Sequence, residues 1–394
     1  MQKLQHHYTT LETVLFNQAI AAAIPSLVEH YHYKNIFIVI SHTLHRDTTI
    51  VQTLQRTLGS AIVGVFDKIR THTPRDDVLV ALAQAAELNV DVIIAIGGGS
   101  IIDAGKALQF ALNFGLSPDS TISDFAQFAD GRRGPRALDA ARGLLPMTNS
   151  ARVIAVPTTL SGAEFSNNAG VLDLTTGSKE GYRTPLLYPQ AIVYDPAITV
   201  HTPAWLWLST AIRSIDHAIE GFCAPEVYPF LEGQYLHALR LFMQSLPAVK
   251  KQGDDVAARS LNQQAVWLAC CGLGRVSHGA SHGIGYILGS LCGVPHGYTS
   301  CVMLPAVLEW NAKVNGERQT LLASALGDGG ATPTVQLRKL LHQLGLPSRL
   351  RDVAVKQTQF AEIAKRAAQH RVVRSNPRSI QSADEVMEIL HLAW

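Results

Sequence analysis

Short, unbroken runs of apolar and β-branched residues alternate with stretches of helical spacing through the first half of this 394-residue chain. Asn35-Ile36-Phe37-Ile38-Val39-Ile40 and Ala61-Ile62-Val63-Gly64-Val65-Phe66 read as strands, with apolar positions at helical spacing around 51–58 between them. Over 76–88, Val78, Leu79, Leu82 and Ala85-Ala86 recur every three or four positions and predict a further helix. Asp91-Val92-Ile93-Ile94-Ala95-Ile96 is the next strand, followed later by Val153-Ile154-Ala155-Val156-Pro157 and Ala191-Ile192-Val193-Tyr194. Strands that are apolar throughout, rather than alternating, belong to parallel sheets covered on both faces. The βαβα order therefore predicts an α/β N-terminal domain with a parallel sheet. Beyond Asp195-Pro196 the strand signals fade and long helical patterns predict an all-α C-terminal domain, in which Ser382-Ala383-Asp384-Glu385 reads as a capping box opening a last helix. The expected division is 1–197 and 198–394. The stretch 117–151 is the least regular, and Asp130-Gly131-Arg132-Arg133-Gly134-Pro135 is a loop by composition.

Gly97-Gly98-Gly99-Ser100-Ile101-Ile102-Asp103-Ala104-Gly105-Lys106 leaves the third of these strand-like runs and enters a helix. Glycines at such a turn let the backbone approach a phosphate, and the N–H groups of the new helix point at it. A glycine triplet alone is a weak signal that ordinary tight turns also give; Ser100, Asp103 and Lys106 behind it favour a nucleotide site. Ligands on parallel sheets sit at the carboxyl ends of the strands, where this turn lies.

Bulk composition narrows the picture. With 47% hydrophobic and 16% charged residues the chain can build sizeable cores. A net charge of +2 gives no basic footprint for nucleic acid. Cys223, Cys270, Cys271, Cys292 and Cys301 form no CxxC pair, which points to reduced thiols rather than disulfides or a zinc knuckle. Met1-Gln2-Lys3-Leu4-Gln5-His6-His7 lacks a signal-peptide core and no run is long enough to span a membrane. The expectation is a cytoplasmic protein with a small-molecule substrate, and neither nucleic-acid nor membrane partners.

Histidines cluster at His278, His282 and His296, flanked by glycines, and His217 stands on a predicted helix four residues after Arg213, on the same face. Histidine is both the commonest metal ligand and the commonest general acid–base; any single one of these is more often a structural histidine, and it is the set that points to chemistry.

Taken in order, these motifs resemble the iron-containing (group III) alcohol dehydrogenase superfamily almost end to end. Gly97 to Lys106 is similar to its GGGSxxDxxK cofactor motif, Pro157-Thr158-Thr159 to its PTT motif, Lys179 to its cofactor lysine, Asp195-Pro196 to the DP closing the first domain, and His217-Ala218-Ile219-Glu220 to HAIE. Asn376-Pro377-Arg378 and Trp394 fit its C-terminus. The resemblance implies a Rossmann-like domain followed by a helical one, the dehydroquinate synthase-like or iron-type alcohol dehydrogenase fold, NADH or NADPH as cofactor, and a homodimer. Gly97, Gly98, Gly99, Ser100, Asp103, Thr158, Thr159 and Lys179 are then cofactor residues. Ser41 replaces the aspartate that reads the ribose 2′-hydroxyl in NAD-preferring members, which permits NADPH.

Family members hold a divalent metal with one Asp and three His. His217, His282 and His296 match the histidines; taking His278 instead of His282 breaks the family's spacing to His296. The Asp position holds Arg213, a permanent cation that accepts no metal. Four residues after His282, where much of the family has another histidine, stands Tyr286, which either donates a proton or packs. The maleylacetate reductase branch also lacks the metal aspartate and works without metal. Leu160-Ser161-Gly162-Ala163-Glu164, one residue shorter than the metal-dependent form, and Ile192-Val193-Tyr194-Asp195 resemble that branch; Asp103, where that branch tends to have Gly, does not. The expectation is a metal-free reductase of a carbonyl or enone, in which Arg213, His217, His282, Tyr286 and His296 are catalytic. Arg213 stabilises the developing oxyanion or forks onto a substrate carboxylate, against a plain salt bridge to Asp216 or Glu220. A metal-dependent alcohol dehydrogenase and a catalytically impaired nucleotide-binding paralogue are the alternatives.

Overall fold

The computed structural model of the protein describes residues 6–117, 119, 124, 125, 127–129, 135–327 and 330–394. The amino-terminal residues 1–5 and the loop at 130–134 lie outside the described residues. The chain forms two compact units: one holds 7–159 and 163–201, the other Thr202–Trp394 with Leu160–Gly162 and the stretch ending at His6.

Among its described residues the first unit contains eight strands: β1 (Thr13–Phe16), β2 (Ile36–Ile40), β3 (Ile62–Phe66), β4 (Val92–Gly97), β5 (Arg152–Pro157), β6 (Asn168–Asp173), β7 (Ser178–Arg183) and β8 (Ala191–Tyr194). Six form a sheet in the order β1-β8-β5-β4-β2-β3, parallel throughout. Every residue of β2 and β4 is buried, as the unbroken apolar runs require. Ile36, Ile38, Ile40, Ile94 and Ile96 share one hydrophobic core with the helices Ile20–His30 and Ile50–Leu58. Against β4 and β5 lies the helix Gly99–Asn113; a Cβ on Gly105 would meet Ala95 Cβ at 2.8 Å, so glycine is what lets this helix lie close on the sheet. The helix read at 76–88 runs Arg75–Ala85 and stops before Asn89, which takes a left-handed conformation (φ 48°).

Two features are absent from the sequence reading: the short β1, and the antiparallel hairpin of β6 and β7. The hairpin covers a buried charge cluster. Arg75 (2% exposed) bonds Glu180, lies 3.7 Å from Asp173, and Tyr182 donates to Glu180. Arg75→Leu strands two buried carboxylates, and breaking such a pair costs about 3–5 kcal/mol. The expected result is a urea midpoint lowered by that amount over the slope; an unshifted midpoint would contradict the assignment.

The second unit is helical among its described residues. Its helix Ala204–Cys223 is buried from Trp207 to Cys223 and packs beside Pro229–Lys251, Val256–Cys270 and His296–Leu326. A second core joins Ala280–Cys292, Phe360–Gln369 and Ala383–Leu392. The capping box forms: Ser382 Oγ accepts from Glu385 N–H at 3.4 Å and Glu385 Oε2 from Ser382 N–H at 2.9 Å. All five cysteines are free thiols. No described helix is long and apolar enough to cross a membrane.

Candidate active site

At the carboxyl end of β4, Gly97 adopts φ 157°, and a Cβ there would meet Ile101 Cγ1 at 2.6 Å, so the turn demands glycine. Gly98 is the N-cap of the helix Gly99–Asn113, whose first N–H groups open at the turn as expected. Neighbouring strand ends close around it. Ser41 N–H donates to Ile96 O at 3.0 Å, Thr158 N–H to Gly97 O at 2.9 Å, and Gly98 faces Thr159, which a Cβ would approach to 3.1 Å. Lys179 Nζ, brought in by β7, lies 3.5 Å from Asp103 Oδ2. The structure thus brings together Ser41, Gly97, Gly98, Gly99, Ser100, Asp103, Thr158, Thr159 and Lys179.

Two residues not singled out in the sequence hold this turn. His72 and Thr73 are both left-handed (φ 66° and 56°), a costly conformation for a β-branched residue. His72 N–H donates to Ser100 Oγ (3.0 Å) and Thr73 Oγ1 to Ser100 O (2.9 Å). The His72 side chain is pushed down by burial and by Lys179. Lys106 is fully buried, donating to the carbonyls of Ala163, Ser166 and Asn168, so it ties down the 163–168 segment rather than meeting a ligand. Burial pulls its pKa down to about 8, against the opposing charges of Asp103 and Glu164.

In the second unit, the helix Ala204–Cys223 presents Arg213, Asp216, His217 and Glu220, spaced for one face. Glu220 caps the helix Ala280–Cys292: it accepts from the N–H groups of Gly279 and Ser281, each at 2.8 Å, and from His282 Nδ1 at 2.7 Å. Asn376 Oδ1 accepts from Ala280 N–H (3.1 Å) and Asn376 is itself held by Asn311 (2.7 Å), which gives the C-terminal Asn-Pro-Arg segment a structural task. Asp216 lies 3.4 Å from His282 Nδ1 and accepts from Ser281 (2.8 Å) and Ser300 (2.6 Å). Both carboxylates therefore fix the proton of His282 on Nδ1 and turn Nε2 toward His217 Nδ1, 2.8 Å away.

His278 Nε2 reaches the same His217 nitrogen at 3.0 Å. Sequence spacing set His278 aside in favour of His282; in space both converge on His217. Burial and the neighbouring cations push His217 and His278 well below the ordinary histidine range. For His282, burial and Arg213 act downward, but Asp216 and Glu220 outweigh them and raise it. For Asp216, burial acts upward and is overcome by His282, Arg213 and Ser300.

Arg213 is 2% exposed. Its Nη1 donates to Ser300 Oγ at 3.1 Å and lies 3.9 Å from Asp216 Oδ2, so the pairing with Asp216 is loose, and its guanidinium carbon lies 5.4 Å from the Tyr286 ring centre. Tyr286 is 41% exposed and stacks on His296 (centroids 5.8 Å, 18° between planes). His296 thus stacks on Tyr286 and is not among the imidazoles that converge on His217, although its charge still reaches His217.

Among the described residues, the groups able to hold a metal are His217, His278 and His282, or Asp216, Glu220 and His282. The one-Asp, three-His set of the resembled family does not fit this chain: a buried guanidinium occupies the Asp position, and His296 belongs to neither group.

The chain matches the Fe-containing alcohol dehydrogenase family over residues 12–196 and the C-terminal part of that family over 208–394. It is 31% identical to dehydrogenase FUM7 of Gibberella moniliformis, over 91% of this chain and 90% of that protein. It is 29% identical to maleylacetate reductase of Sphingobium indicum, over 87% and 85% of the two chains. The fold superposes on sulfoacetaldehyde reductase of Bifidobacterium kashiwanohense, solved with NAD+, with a TM-score of 0.86 at 21% identity, covering 99% and 98% of the two chains. With these matches along both halves, the chain belongs to the iron-containing alcohol dehydrogenase superfamily, near its maleylacetate reductase-like branch, and is an NAD(P)-dependent oxidoreductase.

Proposed function

We propose that the protein reduces a carbonyl or enone of a carboxylated substrate, such as maleylacetate, with NADH or NADPH and without a metal ion. The observation that carries this reading is the buried Arg213 at the position of the family's metal aspartate, only loosely paired with Asp216. Hydride addition places negative charge on the substrate oxygen, and catalysis requires donors or charge already aimed at it. A fixed guanidinium in a water-poor site supplies that charge and also suits a carboxylate, which it binds through two parallel N–H bonds. The His282–His217 contact, backed by Asp216 and Glu220, adds a path along which a proton can reach a reduced product. Tyr286, exposed beside Arg213, and His296, exposed and stacked on Tyr286, are the groups placed to meet the substrate.

A second reading is favoured by the convergence of His217, His278 and His282, since three imidazoles suffice for a zinc-type site with one open position. It makes the protein a metal-dependent alcohol dehydrogenase for small alcohols. The test is NADH and NADPH oxidation with maleylacetate, keto acids and aldehydes, with and without EDTA, on protein assayed for metal. The expected result is turnover of a carboxylated substrate, unchanged by EDTA, on protein with substoichiometric metal. Turnover of simple aldehydes that EDTA abolishes would establish the second reading. Coenzyme binding with no turnover across the panel would leave the nucleotide-binding paralogue.

A further inference from the structure

One imidazole beside the exposed Tyr286 has no task in the reading above. The His370 ring centre lies 5.7 Å from that of Tyr286, and the Arg213 guanidinium carbon lies 5.4 Å from the same Tyr286 ring centre. The turn that carries His370 is fastened to the helix that carries His282 and Tyr286. A Cβ on Gly283 would stand 2.8 Å from Val373 N, so glycine is what lets the turn press against this helix. Ser375 Oγ donates to His278 O at 2.7 Å, and Asn376 Oδ1 accepts from Ala280 N–H at 3.1 Å. The backbone of the turn is therefore placed by the same helix that places Tyr286.

The ring itself is held in one tautomer. Its Nδ1 accepts from Val372 N–H at 3.3 Å. Burial and the neighbouring Arg371 push the imidazole down, so it is uncharged at neutral pH. With Nδ1 occupied as an acceptor, the one proton of the neutral ring is on Nε2. Among the described residues no hydrogen bond is made by Nε2. His370 is half-buried, so this donor is partly withdrawn from water and gains from an acceptor that a ligand brings.

We infer that His370 is a specificity-determining residue of this site, its Nε2–H receiving an oxygen at the end of the substrate remote from the group that Arg213 holds. The inference rests on the carboxylate reading of Arg213 and deepens it. It makes the substrate a short chain with oxygen at both ends, laid along the Tyr286 ring. A guanidinium and a neutral N–H donor at one aromatic ring suit an acid at one end, an apolar or conjugated middle and an acceptor at the other.

The structural task of the ring is to cap the four-residue helix Arg371–Arg374, and two substitutions separate that task from substrate selection. In His370→Asn the amide oxygen replaces Nδ1 and keeps the bond from Val372 N–H, while nothing reaches the position of Nε2. In His370→Gln the longer side chain carries an amide N–H near the position of Nε2 and gives up the Nδ1 bond. The probes are adipate and hexanoate, acids of equal chain length that differ in one carboxylate, titrated calorimetrically into the full chain with NADH present. Wild-type protein is expected to bind adipate about tenfold more tightly than hexanoate, the worth of one hydrogen bond to a charged acceptor. His370→Asn is expected to lose that preference while hexanoate affinity and Tm stay unchanged, and His370→Gln to keep most of it. Retention of the preference in His370→Asn, or its loss in His370→Gln, would show a helix cap only and overturn the inference. Equal affinities of the two acids for wild-type protein would also overturn it, leaving the reading of Arg213 intact. If neither acid binds, the carboxylate reading of Arg213 fails and this inference fails with it.

Discussion

Arg213→Gln is expected to lower kcat/KM for a carboxylated substrate by about 10²–10³-fold, the usual loss when one preorganised oxyanion donor is removed. NADH affinity should stay within about twofold, because the coenzyme residues are on other elements. The variant also tells the two tasks of the guanidinium apart. A fall in kcat with KM held means the charge acts on the developing oxyanion. A rise in KM with kcat held means it grips a ground-state carboxylate. Because Arg213 is buried and near Asp216, its removal carries a stability cost. That cost is moderated by the hydroxyls of Ser281 and Ser300 and by His282, which keep Asp216 hydrogen-bonded. Arg213→Lys keeps the charge without the fork and should restore part of kcat but little of the carboxylate selectivity. If both variants turn over all substrates at wild-type rates, Arg213 is a structural salt-bridge residue and the metal-free mechanism loses its main support.

Gly98→Val is expected to weaken NADH binding by at least about 10²-fold, with Tm of the coenzyme-free protein little changed. Gly98 has φ −75°, open to any residue, so no backbone strain is introduced. The effect comes from space. A Cβ would stand 3.1 Å from Thr159 Cγ2, and the branched side chain would hold a phosphate away from the first helical N–H groups. Two charge-assisted bonds lost at about 1.5–3 kcal/mol each account for that factor. Isothermal titration of NADH gives the affinity directly. Wild-type affinity in this variant would mean that the pyrophosphate is bound elsewhere.

The parts of the fold that could be read from the chain are those whose environment is uniform along one element. β2, β4, β5 and β8 are buried on both faces, so each appears as an unbroken apolar run. β7 does not, because its inward positions are Glu180 and Tyr182, which pair with Arg75 across the unit. A strand whose buried face is ionic looks like a surface loop in sequence. β1 is four half-buried residues, too short to show any period. At the site, helical geometry alone puts Arg213 and His217 on one face. Spacing to His296 favours His282 over His278, and spacing along the chain says nothing about how a residue in the turn before a helix folds back.

By itself the sequence determined the parallel sheet, the glycine turn, the helical second half and the presence of a cation where the family has a ligand. Each of these follows from local periodicity or from a side chain's own chemistry, which persist whatever the rest of the chain does. Tertiary structure alone decided which histidines meet, that Glu220 would cap the helix carrying His282, that Thr73 would pin Ser100, and that His370 would meet Tyr286. These contacts join residues many positions apart. Their distances depend on how elements pack, and no repeat along the chain records that.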